Sequence, residues 1–185
     1  ESLNATYRRA MTLAKIKVTA SLLGVAPESL AALGVGTCGN GTLTFPMFAP
    51  QEDGNVVIVG IRTRDHNGKK AIAGSRNGWF LPAGWSGGDH VFIAEGPTDT
   101  AAVMDAGFMA IGRSHCSHDE GVELLLKGRC ACVLGDNDGG KGGAEKLAKR
   151  INGGLLYPPN GIKDVRDWLR VDRRGLVQAL AREHG

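Results

Sequence analysis

The second half of the sequence alternates short apolar runs with stretches of helical character. The apolar runs are HVFIAE (90–95), FMAIGR (108–113), RCACVLG (129–135) and GLLYPP (154–159). The helices expected around them run from Pro97 to Gly107, Asp119 to Lys127, Gly143 to Ile151 and Val165 to about Glu183. Because parallel strands need crossover connections, this alternation predicts a parallel sheet covered by helices.

The first half of the chain has a different pattern. One helix is predicted from Asn4 to about Leu23, and a short second helix runs from Pro27 to Gly34. Residues 42–76 contain β-branched runs separated by the hairpin signals Asp53-Gly54 and Asn67-Gly68. They predict an antiparallel meander, and a glycine-rich connector, NGWFLPAGWSGG, follows it. We therefore expect an α/β protein with two domains: an α+β subdomain over residues 1–88, and a parallel-sheet domain with a helical tail over residues 89–185.

Composition excludes several classes of protein. Of the 185 residues, 28 are Gly and 42% are hydrophobic, so the chain can bury a core and should contain many sharp turns. No apolar run approaches the roughly 18 residues of a membrane span, and the sequence shows no signal-peptide pattern. The four Cys include no CxxC pair, which argues against a zinc ribbon. We expect a soluble cytoplasmic protein without membrane contact.

Six carboxylates lie at or shortly beyond the carboxyl ends of the predicted strands: Glu95, Asp99, Asp136, Asp138, Asp164 and Asp167. Ligands bind beyond these ends in open α/β sheets, and clustered like charges need a neutralising cation. Oxygen-only ligands suit Mg²⁺ or Mn²⁺ rather than zinc. Helix capping is the alternative explanation. It stays open for Asp99, which lies in a first helical turn, and it does not suit Glu95, which ends a strand.

The segment GDNDGGKGG (135–143) resembles two known motifs and fits neither. It contains G-x-x-x-x-G-K, but Gly142 stands where a P-loop has Ser or Thr. Read as a calcium-binding EF-hand loop, it has Lys141 at the obligatory Gly position and Leu147 at the bidentate Glu position. What remains is a pair of strand-end carboxylates followed by glycines that open a helix.

AEGPTDT, followed about forty residues later by LGDNDGG, resembles a TOPRIM domain, the module shared by primases, topoisomerases and some nucleases. Glu95 and Asp99 match the E-G-x-x-D of the primase branch, and IKDVRDWL resembles its K-D-x-(x)-D segment after the fourth strand. Upstream, FPMF, GNVVIVGIRTRDHNGKKAIAG and GWFLP are similar to the small basic subdomain that precedes TOPRIM in bacterial replicative primases and phage primase-helicases.

The resemblance implies roles for the carboxylates. Asp136 and Asp138 would hold catalytic magnesium, Asp164 and Asp167 would extend the metal site, and Glu95 would transfer a proton or bind metal. Such ions activate an attacking 3′-hydroxyl and neutralise the leaving pyrophosphate. The implied partners are a single-stranded DNA template, NTPs and a replicative helicase or a helicase domain of the same longer chain.

The basic residues of the meander would bind phosphates. Residues 54–76 contain a single acidic residue, Asp65, and five cationic side chains that could bind phosphates. The five are Arg62, Arg64, Lys69, Lys70 and Arg76. If Arg62 and Arg64 lie on one strand, they share a face and can address one phosphate path. A solvated hairpin face is the alternative explanation.

Three functions are compatible with these patterns. The first is a primase core that makes RNA primers on single-stranded DNA by metal-dependent nucleotidyl transfer. The second is a TOPRIM nuclease that uses the same metal site, and the third is a non-catalytic DNA-binding scaffold in a recombination or mobile-element protein. The basic subdomain favours the first over the second, and retention of all six carboxylates argues against the third.

Trp79, Phe80 and Trp85 could stack on bases, but packing between subdomains explains them equally well.

Overall fold

A computed structural model describes residues 2–39, 41–86, 88–137 and 141–185. Asp138 lies outside the described residues. The helices are α1 (Leu3–Ala10), α2 (Leu13–Leu23), α3 (Pro27–Ala32), α4 (Pro97–Asp105), α5 (Val122–Leu126), α6 (Lys141–Ile151), α7 (Val165–Val171) and α8 (Arg173–His184). The strands are β1 (Gly36–Cys38), β2 (Thr42–Pro50), β3 (Val56–Asp65), β4 (Gly68–Ala71), β5 (Trp79–Phe80), β6 (His90–Glu95), β7 (Ala110–Arg113), β8 (Cys130–Leu134) and β9 (Gly154–Leu156).

The strands of the described residues form one sheet in the order β4-β3-β2-β5-β7-β6-β8-β9, with β1 paired to β2. The second half is parallel, since β6 pairs in parallel with β7 and β8, and β8 pairs in parallel with β9. The first half is antiparallel, as the hairpin signals predicted. The α/β fold class with a parallel sheet and an upstream meander is therefore confirmed.

Two hydrophobic clusters lie on opposite sides of the sheet. One contains Phe92 and Leu134 together with Trp168 and Leu176 of the C-terminal helices. The other contains Ile93 and Val133 together with Leu147 of α6. Neighbouring residues of β6 and β8 thus belong to different clusters, because successive side chains of a strand point to opposite faces.

The expected connector between the two halves contains a strand of two residues. In β5, Trp79 pairs with Phe48 of β2 and with Arg113 of β7, so the backbone ladder continues across the predicted boundary at residue 88. Trp79 and Phe80 are fully buried and pack in the core. The strands of both halves belong to one hydrogen-bonded sheet. The division of the chain into two domains at residue 88 therefore stays a prediction.

Three predicted helices differ from the structure. The helix expected from Asn4 to Leu23 is two helices, because the Thr12 hydroxyl accepts a hydrogen bond from the Lys15 N–H and starts α2. The helix expected from Val165 to Glu183 is also broken, because the Asp172 carboxylate caps α8 at Gly175. The helix α5 covers only Val122–Leu126, since the residues on both sides of it have left-handed backbone conformations.

No helix of the described ranges combines the length and the apolar character that a membrane crossing requires.

Candidate active site

The carboxyl ends of the parallel strands bring the predicted acidic residues to one edge of the sheet. Glu95 is the last residue of β6, Asp136 follows β8 after one glycine, and Asp164 immediately precedes α7. Since β6 and β8 are parallel neighbours, Glu95 and Asp136 share this edge.

Gly96 lets the backbone turn from β6 into α4 under a cationic side chain. Its φ of 87° lies in the region that favours glycine. A Cβ on Gly96 would lie 3.3 Å from the Lys69 Nζ, so the ammonium group of Lys69 sits directly against the turn that follows Glu95. Lys69 also acts electrostatically on Asp99 in the first turn of α4.

Two arginines of β3 reach the same edge. The Arg62 Nη2 donates to the carbonyl oxygen of Ser114 at 2.6 Å, and the Arg64 Nη1 donates to the Thr98 Oγ1 at 2.7 Å. Arg64 lies opposite Lys69 in the β3–β4 register, so it shares a face with both Arg62 and Lys69. The prediction that Arg62 and Arg64 share one face is confirmed. We call these three cations, Arg62, Arg64 and Lys69, the basic face.

The other two predicted phosphate-binding residues lie elsewhere. Lys70 is opposite Thr63 and projects from the reverse side of the hairpin, because neighbouring residues of a strand alternate between faces. Arg76 is exposed and lines a separate cavity of about 320 Å³ together with Trp79 and His118. The basic face therefore contains three of the five predicted cations.

Asp99 is buried beside a second acidic residue. Only 4% of Asp99 is exposed, and its Oδ1 accepts a hydrogen bond from the Arg166 N–H at 3.2 Å. Burial and the neighbouring Asp164 together raise the pKa of Asp99 to about 6, although Arg166 and Lys69 act to lower it. Thr98 connects Asp99 to the basic face, since its hydroxyl accepts from Arg64 and lies 3.5 Å from the Asp99 Oδ2. Asp99 does not cap its own helix, because Gly96 is the N-cap of α4 and no side chain caps it.

Asp164 and Asp167 are held by protein groups. The Asp164 Oδ1 caps α7 by accepting from the Asp167 N–H at 2.8 Å. The Arg166 Nη2 lies 3.9 Å from the Asp164 Oδ2 and 3.8 Å from the Asp167 Oδ1. The capping explanation thus applies to Asp164, and Arg166 supplies a counter-charge to both carboxylates.

The Asp99→Asn variant is expected to be more stable than the native protein at pH 7 in the presence of EDTA. The raised pKa means that the native state holds its proton up to about pH 6, whereas the unfolded chain loses it near 3.8. The native protein should therefore lose stability as the pH rises from about 4 to 6. Asparagine removes this loss and the repulsion by Asp164. Urea unfolding at several pH values measures the difference, which should shrink toward pH 4; a constant difference across this range would contradict the assignment.

Arg113 is a site residue that the sequence analysis missed. It ends β7, is paired with Glu95 in the β6–β7 register, and is only 1% exposed. Its Nη1 donates to the carbonyl oxygens of Cys116 at 2.6 Å and Gly143 at 3.2 Å. Burial lowers the pKa of Arg113, whereas the nearby Glu95 and Asp136 raise it. The rule that singled out the acidic residues, a polar residue at the carboxyl end of a predicted strand, would also have selected Arg113 in FMAIGR.

Asn137 is a second missed residue, and it joins two loops of the site. Its backbone N–H donates to the carbonyl oxygen of Lys163 at 2.7 Å. Its side-chain amide donates to the carbonyl oxygens of Pro158 at 2.8 Å, Ile162 at 2.9 Å and Pro159 at 3.3 Å. These bonds hold the loop of Asp136 against the loop that leads to Asp164.

The described residues provide two donors for the predicted metal site. Glu95 and Asp136 are half-buried oxygen donors at neighbouring strand ends, a donor type that suits Mg²⁺ or Mn²⁺. Within the ranges that the structure describes, no group of three His, Cys, Asp or Glu side chains is arranged to hold a metal ion. Asp138, the other carboxylate predicted next to Asp136, lies outside the described residues.

Comparisons with known proteins identify the fold. No family model matches the chain, and no curated protein matches it significantly. The primase fragment of the bacteriophage T7 primase-helicase protein is 17% identical with a TM-score of 0.64, over 86% of this chain and 71% of that one. The primase domains of bacteriophage T7 that were solved bound to an RNA/DNA hybrid and dTTP are 15% identical to this chain. That match has a TM-score of 0.60 and covers 88% of each chain.

The zinc-binding and RNA polymerase domains of the Aquifex aeolicus primase are 14% identical to this chain, with a TM-score of 0.64. The match covers 95% of this chain but 58% of the Aquifex protein. At identities of this level the likeness concerns the fold. The chain has the fold of a primase-type domain.

Proposed function

We propose that this chain is the catalytic core of a primase, which makes short RNA primers on single-stranded DNA by metal-dependent nucleotidyl transfer. We call the strand ends that carry Glu95, Asp136 and Asp164 the acidic edge. The observation that carries the proposal is the position of the basic face beside this edge: Lys69 lies against the turn that follows Glu95, and Arg64 binds Thr98 next to Asp99. A nucleotidyl transfer site needs both charges, since cations bind the phosphates and carboxylates bind the metal. The likeness to primase domains supports this choice.

Glu95 and Asp136, with Asp138, would hold the divalent ion, Mg²⁺ or Mn²⁺. A bound ion of this kind would lower the pKa of the attacking 3′-hydroxyl and neutralise charge on the leaving pyrophosphate. In the alternative role, Glu95 would accept the proton of that hydroxyl instead of binding the ion. We propose that Asp164 and Asp167, oriented by Arg166, extend the acidic edge beyond these ligands.

The basic face would bind and orient the phosphates. Arg62 and Arg64 are already anchored at one nitrogen each by Ser114 and Thr98, so little side-chain entropy remains to be lost when a phosphate binds. Lys69 would act as a mobile point charge over the turn at Gly96. The partners would be a single-stranded DNA template and NTPs, and a helicase or a linked helicase domain would supply the template.

The test is a primer synthesis assay with single-stranded DNA, labelled NTPs and Mg²⁺ or Mn²⁺. We expect new oligoribonucleotides, and we expect Lys69→Ala to reduce their yield by about tenfold, the value of one lost charge-assisted contact. Lys70→Ala, from the reverse side of the same hairpin, should reduce it less.

Arg182→Ala, an exposed position near the end of α8, is the control and should leave the yield unchanged. Equal losses in the Lys69 and Lys70 variants would show that only the net charge matters, against a site built on one face. A shortened DNA strand without new RNA would replace the primase proposal by a nuclease, and DNA binding without either reaction would remove the enzymatic proposal.

A further inference from the structure

The ring of Tyr157 covers the residue that precedes Asp136. Tyr157 directly follows β9 and Gly135 directly follows β8, and these two strands are parallel neighbours. A Cβ on Gly135 would overlap the Cε1 atom of the ring and would lie 2.7 Å from Cδ1 and 2.8 Å from Cζ. Gly135 is buried and its φ is not positive, so the ring, and not the backbone conformation, excludes a side chain at this position.

The Tyr157 side chain is itself held at both ends. Leu156, the residue before it, pairs with Leu134 in the β8–β9 register, and its carbonyl oxygen accepts from the Gly135 N–H at 3.0 Å. At the other end, the phenol hydroxyl lies 3.5 Å from the Glu145 Oε1 on α6. Burial and the Glu145 carboxylate raise the pKa of Tyr157, so the hydroxyl keeps its proton at pH 7 and can donate to that carboxylate. The ring is therefore fixed between β9 and α6.

The loop after β9 also holds the residue that follows Asp136. The Asn137 N–H donates to the carbonyl oxygen of Lys163 at 2.7 Å, and its side-chain amide donates to three more carbonyl oxygens of the same loop. Asp136 thus lies between two residues that are both fixed by the segment from Tyr157 to Lys163. Apart from the rotation of its own side chain, the fold sets the direction in which the Asp136 carboxylate leaves the end of β8.

We propose that Tyr157 is a positioning residue for Asp136. Its ring fixes the backbone of Gly135, and with it the point from which Asp136 extends at the acidic edge. The consequence for the reaction rests on the proposed function, in which Asp136 holds the divalent ion. Residues that orient a metal ligand change metal affinity by roughly 10- to 100-fold. A ring that only filled the space between β8, β9 and α6 would contribute to stability and leave the metal affinity of the folded protein unchanged.

The first measurement is the Mn²⁺ affinity, followed by electron paramagnetic resonance at a temperature where every variant is folded. We expect Tyr157→Ala to weaken Mn²⁺ binding by about tenfold. Tyr157→Phe keeps the ring and should keep the native affinity. Tyr7→Ala is the matched control, because Tyr7 is the other tyrosine of the chain, is half-buried and lies in α1. This control should lower stability and leave the dissociation constant of Mn²⁺ unchanged.

The contact itself is tested by substitutions at both positions. Gly135→Ala places a methyl group where the ring lies, so the ring or the end of β8 must move, and the Mn²⁺ affinity should again fall about tenfold. In the Tyr157→Ala background the methyl group has room, and Gly135→Ala should cause no further loss. Such non-additivity is expected of two groups in direct contact.

A measurement without metal separates the positioning role from the proposed reaction. In EDTA, hydrogen exchange at the N–H groups of Gly135 and Asn137 should be faster in Tyr157→Ala than in Tyr157→Phe, and by a larger factor than at the amides of β6. This pattern would persist if the protein bound no Mn²⁺ and made no primers, a result that would remove the proposed function alone.

Four outcomes would overturn the positioning role. They are native Mn²⁺ affinity in the folded Tyr157→Ala protein, equal weakening in Tyr7→Ala, additive losses from Gly135→Ala and Tyr157→Ala, and equal acceleration of exchange at the amides of β6.

Discussion

Replacing Asp136 by Asn is expected to reduce primer synthesis at least about a hundredfold, because a metal ion contributes several kcal/mol to the transition state. The substitution keeps the shape of the side chain and removes its charge. Asp136 follows β8 at the edge shared with Glu95, and it is one of the proposed metal donors. Together with Glu95, Asp136 also counters the buried charge of Arg113.

Primer yield per unit time in Mg²⁺ and in Mn²⁺ measures this effect, with thermal unfolding as the check on folding. Glu52→Gln removes one negative charge from an exposed position near the β2–β3 turn and should retain native activity. A folded Asp136→Asn protein that kept more than about a tenth of the native rate would show that the reaction does not use this carboxylate.

The Asn137→Ala variant is expected to lower the free energy of unfolding by about 2 to 3 kcal/mol, since it leaves partly buried carbonyl oxygens without donors. The Asn137 amide donates to Pro158, Pro159 and Ile162, and alanine can replace none of these bonds. Because the bonds join the loop of Asp136 to the loop of Asp164, primer synthesis should fall by more than the folded fraction does.

Urea unfolding gives the stability, and primer synthesis and Mn²⁺ affinity at a temperature where the variant is fully folded give the positioning effect. Asn160→Ala is the matched control, because Asn160 is exposed in the same loop. If the folded Asn137→Ala protein bound Mn²⁺ and made primers at native levels, Asn137 would be a purely structural residue.

The parallel half of the fold was predictable because its strands are continuous apolar runs with helix signals between them. HVFIAE and RCACVLG are buried by helices, so their sequence carries the pattern of a covered parallel sheet. The breaks at Thr12 and Asp172 were missed because each depends on a single capping side chain within a longer helical pattern. The strand at Trp79–Phe80 was missed because two residues among glycines show no periodicity.

The site was predictable to the extent that charge and strand position determine it. Glu95 and Asp136 follow from the rule on strand ends, and the shared face of Arg62 and Arg64 follows from the alternation of a strand. The sequence does not indicate which of Lys69 and Lys70 shares a face with Arg64, because this depends on the register of the β3–β4 hairpin. Asn137 binds three backbone carbonyl oxygens of a distant loop, and no sequence pattern records such acceptors.

The short strand β5 has a consequence for how ligand affinity depends on stability. Because Trp79 pairs with both β2 and β7, the spacing between cations and carboxylates is fixed when the chain folds, before any ligand arrives. The entropy of assembling the two charged surfaces is therefore a cost of folding and not of binding. Substitutions that loosen β5 are expected to transfer this cost to the proposed nucleotide ligand, and to weaken its affinity without changing any residue of the basic face or any of the strand-end carboxylates.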